Sequence, residues 1–217
     1  MNKKAKKERM AEIGERLREL YPEALCALEY EGEPWKLMVM ARLSAQCTDA
    51  RVNIVCKSLF ARFPTLDALA DGELCEIEEI VRPCGLYHTK AESIKAACII
   101  VRDKFGGRVP DNMDDLLSLP GVGRKIANLL LGDIYGKGGI VADTHCIRIC
   151  GRFGMYSTDM KDPAKTEAIM SELIPLAEQS DFCHRIVQFG RDVCTARSPK
   201  RPECPLRELC EYKDKTK

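Results

Sequence analysis

The chain has 217 residues, 45% hydrophobic and 31% charged, enough for one large domain or two small ones with a real core. Its 34 Lys+Arg against 33 Asp+Glu leave a formal charge of +1, so bulk charge does not point to a polyanionic partner, and such a claim has to rest on local motifs. No apolar run approaches the roughly 18 to 20 residues of a membrane span, and the basic start at Met1 leads into no apolar signal segment, so the chain reads as cytoplasmic.

Apolar residues recur at helical spacing almost throughout. Met10, Ile13, Leu17 and Leu20 share one face before Pro22 stops the run. Trp35 to Leu43 is almost wholly apolar and predicts a buried helix; Val52, Val55, Leu59 and Phe60 mark the next, closed by Pro64. Helices follow over residues 73–81, ended by Pro83 and Gly85, over 90–104, ended by Gly106-Gly107, and over 113–117, ahead of a Gly-rich turn. Beyond that turn, residues 125–135 form a helix ended by Gly136, and Gly138-Gly139 read as a flexible joint. Asp143 stands where an N-cap would stand, and 144–153, 163–178 and 181–193 continue in the same style. With no alternating strand pattern between hairpin turns, the fold class is all-α, and 136–139 is the best boundary between two helical lobes, too short to be a free linker.

Twelve cysteines in a chain read as cytoplasmic predict burial or metal binding rather than disulfides. Cys26, Cys56, Cys75, Cys98 and Cys150 lie among apolar helical residues and are expected to be small core fillers.

Leu119-Pro-Gly-Val-Gly-Arg-Lys125 joins two helices through a tight turn in which Gly121 and Gly123 can take positive φ. Backbone amides facing outward just ahead of a helix, whose N-terminal dipole end is positive, make a cradle for a phosphate oxygen without a basic side chain. Leu116, Leu117 and Leu119 before the turn and Ile126, Leu129, Leu130 and Leu131 after it let the two helices pack as a rigid hairpin. A lysine at that helix start feels the dipole, and Ile126 and Leu129 are expected to desolvate its ammonium; both effects favour the neutral, nucleophilic amine.

This turn, followed by Val141-Ala-Asp-Thr-His145, resembles the helix-hairpin-helix and catalytic signature of the endonuclease III family. Leu43-Ser-Ala-Gln-Cys-Thr-Asp49 and Gly85-Leu-Tyr-His-Thr-Lys-Ala91 extend the resemblance. It implies a cleft between a six-helix barrel lobe at 27–137, containing the helix-hairpin-helix, and a lobe made from both termini at 1–26 and 138–217. It also implies a monomer acting on damaged double-stranded DNA as a bifunctional N-glycosylase for oxidised pyrimidines and an abasic-site lyase. Lys125 then attacks C1′ of the damaged nucleotide to give a Schiff base and β-elimination, and Asp143 matches the catalytic carboxylate. Gln46 and Leu86 match residues that fill the hole left by a flipped nucleotide. Gly121, Val122, Gly123, Arg124 and His145 are the other DNA contacts it implies.

The family's iron–sulfur loop reads C-x6-C-x2-C-x5-C, four thiolates for one [4Fe-4S] cluster. Here Cys194, Cys204 and Cys210 stand in frame, but Arg201 replaces the fourth cysteine, and a guanidinium has no lone pair for iron. A cluster with a non-cysteine ligand, a cluster completed by Cys183, and no cluster at all remain open from the sequence. Zinc held by the three cysteines and His184 departs from zinc-finger spacing. Without iron, Arg191, Arg197, Lys200, Arg201 and Arg207 still make a basic patch suited to phosphates. A non-catalytic DNA-binding or redox-responsive protein and a glycosylase of the same fold with another lesion or mismatch specificity are the rival readings. Lys125 argues against an adenine-removing relative.

Overall fold

In the computed structural model, which describes residues 1–212, the apolar spacing and the Pro and Gly punctuation become helices joined by short turns, with no strand among those residues. The α-helices are α1 Lys3–Leu20, α2 Pro34–Leu43, α3 Asp49–Arg62, α4 Leu66–Asp71, α5 Leu74–Val81, α6 Tyr87–Phe105, α7 Met113–Leu117, α8 Arg124–Asp133, α9 Thr144–Arg152, α10 Pro163–Leu173 and α11 Gln179–Asp192. Short 3-10 turns lie at Arg82–Cys84, Leu176–Glu178 and Arg207–Leu209. No helix among the described residues is long and apolar enough to cross a membrane.

Two compact units result: a central one, Cys26–Tyr135, and a terminal one formed by Met1–Leu25 and the chain from Gly136 onward. Each has its own core. In the central unit α2 is buried along most of its length, and its Leu37 and Leu43 share one core cluster with Leu59, Ile77, Ala91, Val101, Leu116 and Leu130. In the terminal unit Met10, Ile13 and Leu17 of α1 meet Ile149 of α9, Met170 of α10, and Ile186 and Phe189 of α11. Each large aliphatic side chain so buried contributes about 1.5–3 kcal/mol relative to exposure.

Helix starts follow the capping rules. Asn2, Thr48, Thr65, Asn112, Asp143 and Asp162 each accept a first-turn backbone N–H, an interaction worth about 1 kcal/mol apiece. Helix α6 ends at Gly106, whose φ of 61° is the left-handed conformation a glycine takes without a Cβ penalty.

Four local expectations are corrected. The predicted helix over 163–178 stops at Leu173, because Pro175 forces Ile174 into an extended conformation (φ −110°, ψ 129°) and the chain resumes as the 3-10 turn. Leu20, the final residue of α1, lies past the edge of the core and is exposed. Cys75 is exposed and Cys26 half-buried, whereas Cys56, Cys98 and Cys150 are the buried fillers expected. The glycines at 136–139 form a pinned loop rather than a flexible joint: the Gly139 amide donates to Gln179 Oε1 at 3.0 Å, and a Cβ on Gly138 would meet Leu176 O at 2.6 Å.

Candidate functional site

The hairpin between α7 and α8 is closed by its own backbone, with Leu119 N donating to Leu116 O and Val122 N to Leu119 O, both at 3.1 Å. Gly121 has φ 78°, and a Cβ there would lie 2.6 Å from Arg42 Nε and 2.9 Å from Ser93 Cβ, so only glycine lets the turn sit on α2 and α6. Gly123 departs from expectation. Its φ is −96° with open space where a Cβ would stand, so it is the extended N-cap of α8, an opening and not a strained turn residue. Val122 departs too, since its side chain is buried and its amide is consumed inside the turn. The first intrahelical bond of α8 is Ala127 N to Gly123 O at 2.9 Å, so the amides of Lys125 and Ile126 lie in the first turn, ahead of that bond. First-turn amides and the positive end of the helix dipole together give this helix start the chemistry an anion needs.

Lys125 is the second residue of α8 and is exposed. Ile126 and Leu129, next to it on the helix, are half-buried and packed against the core of the central unit. Asp143 caps α9, with Oδ1 accepting from Cys146 N at 2.7 Å, and is half-buried. The backbone leading to it is fixed by Val141 N donating to Cys183 Sγ at 3.3 Å and Asp143 N donating to Val141 O at 2.8 Å.

Gln46 and Leu86 share a backbone signature. Both are exposed and both adopt a left-handed conformation, φ 56° and 48°, a property shared among described non-glycine residues only with Glu31. Such a conformation costs an L-residue about 1 kcal/mol or more. Leu86, 61% exposed, presents an aliphatic side chain to solvent on a strained turn.

Beneath these turns lies a residue that the sequence analysis did not single out. Lys90 is fully buried, and its Nζ donates to Leu43 O and Cys84 O, each at 2.8 Å. Burial, above all, moves its pKa down from the ordinary lysine value, and Arg42 adds to that while the Cys47 and Cys84 sulfurs oppose it. The signal was present: Lys90 falls in the stripe with Ile94, Ala97, Cys98 and Val101, a charged residue at an apolar register.

His145 packs on α11, where a Cβ on Gly190 would lie 2.3 Å from its Nδ1, and Arg148 Nη2 stands 3.3 Å from the same nitrogen. It therefore sits within the terminal unit as a packed, half-buried ring. Arg148 Nη2 also donates to Cys194 O at 2.9 Å, and burial pushes that guanidinium's pKa down.

Another missed residue, Arg152, organises the cysteine loop. Its buried guanidinium donates to Cys194 Sγ at 3.1 Å, Thr195 O at 2.8 Å and Ala196 O at 3.0 Å, and stacks on Tyr212, while its carbonyl accepts from Cys210 Sγ and the amides of Glu211 and Tyr212. Burial, first of all, pushes the Cys204 and Cys210 thiols up. Arg201 lines the same small cavity as the three sulfurs, and its guanidinium cannot replace a thiolate. Among the described residues no group of three or more His, Cys, Asp or Glu is arranged to hold a metal ion. Cys183 is instead a core residue occupied by the Val141 amide. The donor set therefore does not fit a four-thiolate [4Fe-4S] cluster.

Residues 39–176 match the model of the HhH-GPD superfamily of base excision DNA repair proteins. The chain is 44% identical to an endonuclease III of Synechocystis over 95% of its length and 93% of the relative's, and 34% identical to that of Escherichia coli K12 over 96% and 98%. The chain belongs to the endonuclease III family. A solved non-covalent endonuclease III–DNA complex superposes with a TM-score of 0.88 at 38% identity, covering 94% of this chain and 95% of that one, and a trapped endonuclease III–DNA covalent intermediate does so equally. A thermostable thymine-DNA glycosylase, at 22% identity and a TM-score of 0.84, shares the fold.

Proposed function

We propose that this endonuclease III family member excises oxidised pyrimidines from duplex DNA and cleaves the resulting abasic site, with Lys125 as the nucleophile and Asp143 as the assisting carboxylate. The observation that carries the assignment is an exposed lysine at the second position of α8, directly after a tight backbone-closed hairpin at that helix's N-terminus. A phosphate seated at the N-terminus of α8 lets the strand bind without a large excess of basic side chains, in keeping with a formal charge of +1.

The neutral Nζ attacks C1′ and the C1′–N bond breaks with its electrons going to the departing base; Nζ gives up a proton, the C1′–O4′ bond breaks with its electrons and a proton going to O4′, and the opened sugar is left as an iminium on Nζ. Loss of a C2′ proton then expels the 3′ phosphate by β-elimination. The Asp143 carboxylate offsets positive charge at C1′ and carries protons, while its N-cap bond to Cys146 N holds its orientation. Gln46 and Leu86 enter the stack where the damaged nucleotide leaves it. Incubating the protein with a duplex carrying one abasic site and reducing with borohydride is expected to give a covalent protein–DNA band. No band from folded, DNA-binding protein sinks the assignment.

Gln46→Ala and Leu86→Ala are each expected to slow processing of a fully paired lesion by about tenfold, and of a mismatched one by clearly less, because extruding a paired base costs more. Single-turnover rates on the two substrates check this, and equal losses remove the inserting role.

The cysteine loop is proposed to work as a phosphate-facing surface ordered by Arg152. Arg197, Lys200 and Arg207 are exposed on it, and Arg191 is exposed at the end of α11. No chemical step passes through iron. Arg201→Cys completes the four-cysteine spacing and is expected to raise bound iron to about four per chain under anaerobic reconstitution. A natural chain that already holds its full complement of iron and sulfide contradicts this account of the loop.

A further inference from the structure

We infer that Lys90 is a positioning residue that ties the two DNA-inserting turns to each other, setting the separation of Gln46 and Leu86. The inference rests on the reading of those two residues as inserting groups.

Leu43 is the last residue of α2, three positions before Gln46; Cys84 ends the 3-10 turn, two positions before Leu86. One buried ammonium accepts neither a slipped nor a separated pair of turns, because its two hydrogen bonds, 2.8 Å each, go to the carbonyl entering one turn and the carbonyl entering the other. Its backbone amide also donates to Leu86 O at 3.1 Å, so the second turn is held from both sides. One helical turn further on, Ser93 Oγ donates to Lys90 O at 3.0 Å and accepts from Arg42 Nε at 2.8 Å. Arg42 and Ser93 are also the residues that Gly121 packs against. The phosphate-cradling hairpin and both turns thus share one hydrogen-bonded support within the central unit.

A simple packing role explains this residue poorly. A lysine in this apolar stripe incurs a desolvation cost that leucine or methionine would avoid, and its charge is met by carbonyl dipoles instead of a carboxylate. What the ammonium provides and an apolar side chain cannot is donors reaching two segments 41 residues apart in the chain, counted from Leu43 to Cys84. Both segments then carry a non-glycine residue in the left-handed region, a conformation that persists only where surrounding bonds over-determine it.

The test compares Lys90→Met with the natural chain in single-turnover lyase reactions on an abasic site in duplex and in single-stranded DNA. Hole-filling matters in the duplex alone, so the duplex-to-single-strand rate ratio is expected to fall about tenfold, and to fall no further when Lys90→Met is added to Gln46→Ala/Leu86→Ala. In the free protein, amide exchange should accelerate at 44–48 and 85–86 but not at the hairpin amides of Leu119 and Val122. An unchanged ratio in folded Lys90→Met, or the same further fall in both backgrounds, overturns the proposal by leaving a purely structural or an unrelated role. A ratio insensitive to Gln46→Ala/Leu86→Ala alone removes the inserting reading itself, and the proposal with it. Should Lys90→Met not fold, Lys90→Gln serves: its amide keeps N–H donors but is uncharged and one atom shorter, so the ratio is expected to fall by less than about tenfold, and an unchanged ratio overturns the proposal.

Discussion

Lys125→Ala is expected to lose the borohydride-trapped complex entirely and to lower abasic-site cleavage on the order of 10³-fold or more, since the carbon–nitrogen bond of the intermediate is made by the deleted atom. Folding should be untouched. Lys125 is exposed at the start of α8, alanine is the best helix former, and the hairpin is held by Gly121, Leu116 and Leu119. Binding to abasic DNA should persist, because the amides that hold the phosphate belong to the backbone and survive any side-chain change. Normal cleavage by this variant assigns the nucleophile elsewhere. Lost DNA affinity, by contrast, would make Lys125 a phosphate contact first.

At Asp143 two substitutions separate structure from chemistry. Asparagine caps a helix as well as aspartate, so Asp143→Asn keeps the bond to Cys146 N and the start of α9 while removing the negative charge; it is expected to slow turnover about 10²–10⁴-fold with stability and DNA affinity nearly unchanged. Asp143→Ala loses the cap as well, and thermal unfolding should show a further destabilisation of about 1 kcal/mol. Equal turnover in Asp143→Asn and the natural chain removes the carboxylate from the mechanism and leaves a cap alone.

The helical class, most helix boundaries, the caps and the signature turn were legible in the sequence because they are local. Periodicity names the buried face, Thr, Asn and Asp announce helix starts, and Pro and Gly end them. Helix α4 escaped because six residues hold too little of the helical period, although Thr65 marks its start. The family motif likewise pointed to Lys125, Asp143, Gln46 and Leu86, but motif spacing carries no solvent exposure. That is why the positive φ expected of Gly123 had to be corrected, and why the burial of Val122 was not foreseen.

By itself the sequence determined what depends on residue type and near spacing: an all-α chain of the endonuclease III family, a tight Gly-containing hairpin, a lysine at a helix N-terminus, an aspartate cap, and a cysteine loop missing one thiolate. Tertiary structure alone decided what depends on segments far apart in the chain. Lys90 joins Leu43 to Cys84, Arg42 and Ser93 support Gly121, and Arg152 gathers the loop that iron holds in a four-cysteine set. The reason is physical: a hydrogen bond from a buried cation is worth most where water is excluded, and which carbonyls it finds there is set by how helices pack, a property no local pattern encodes.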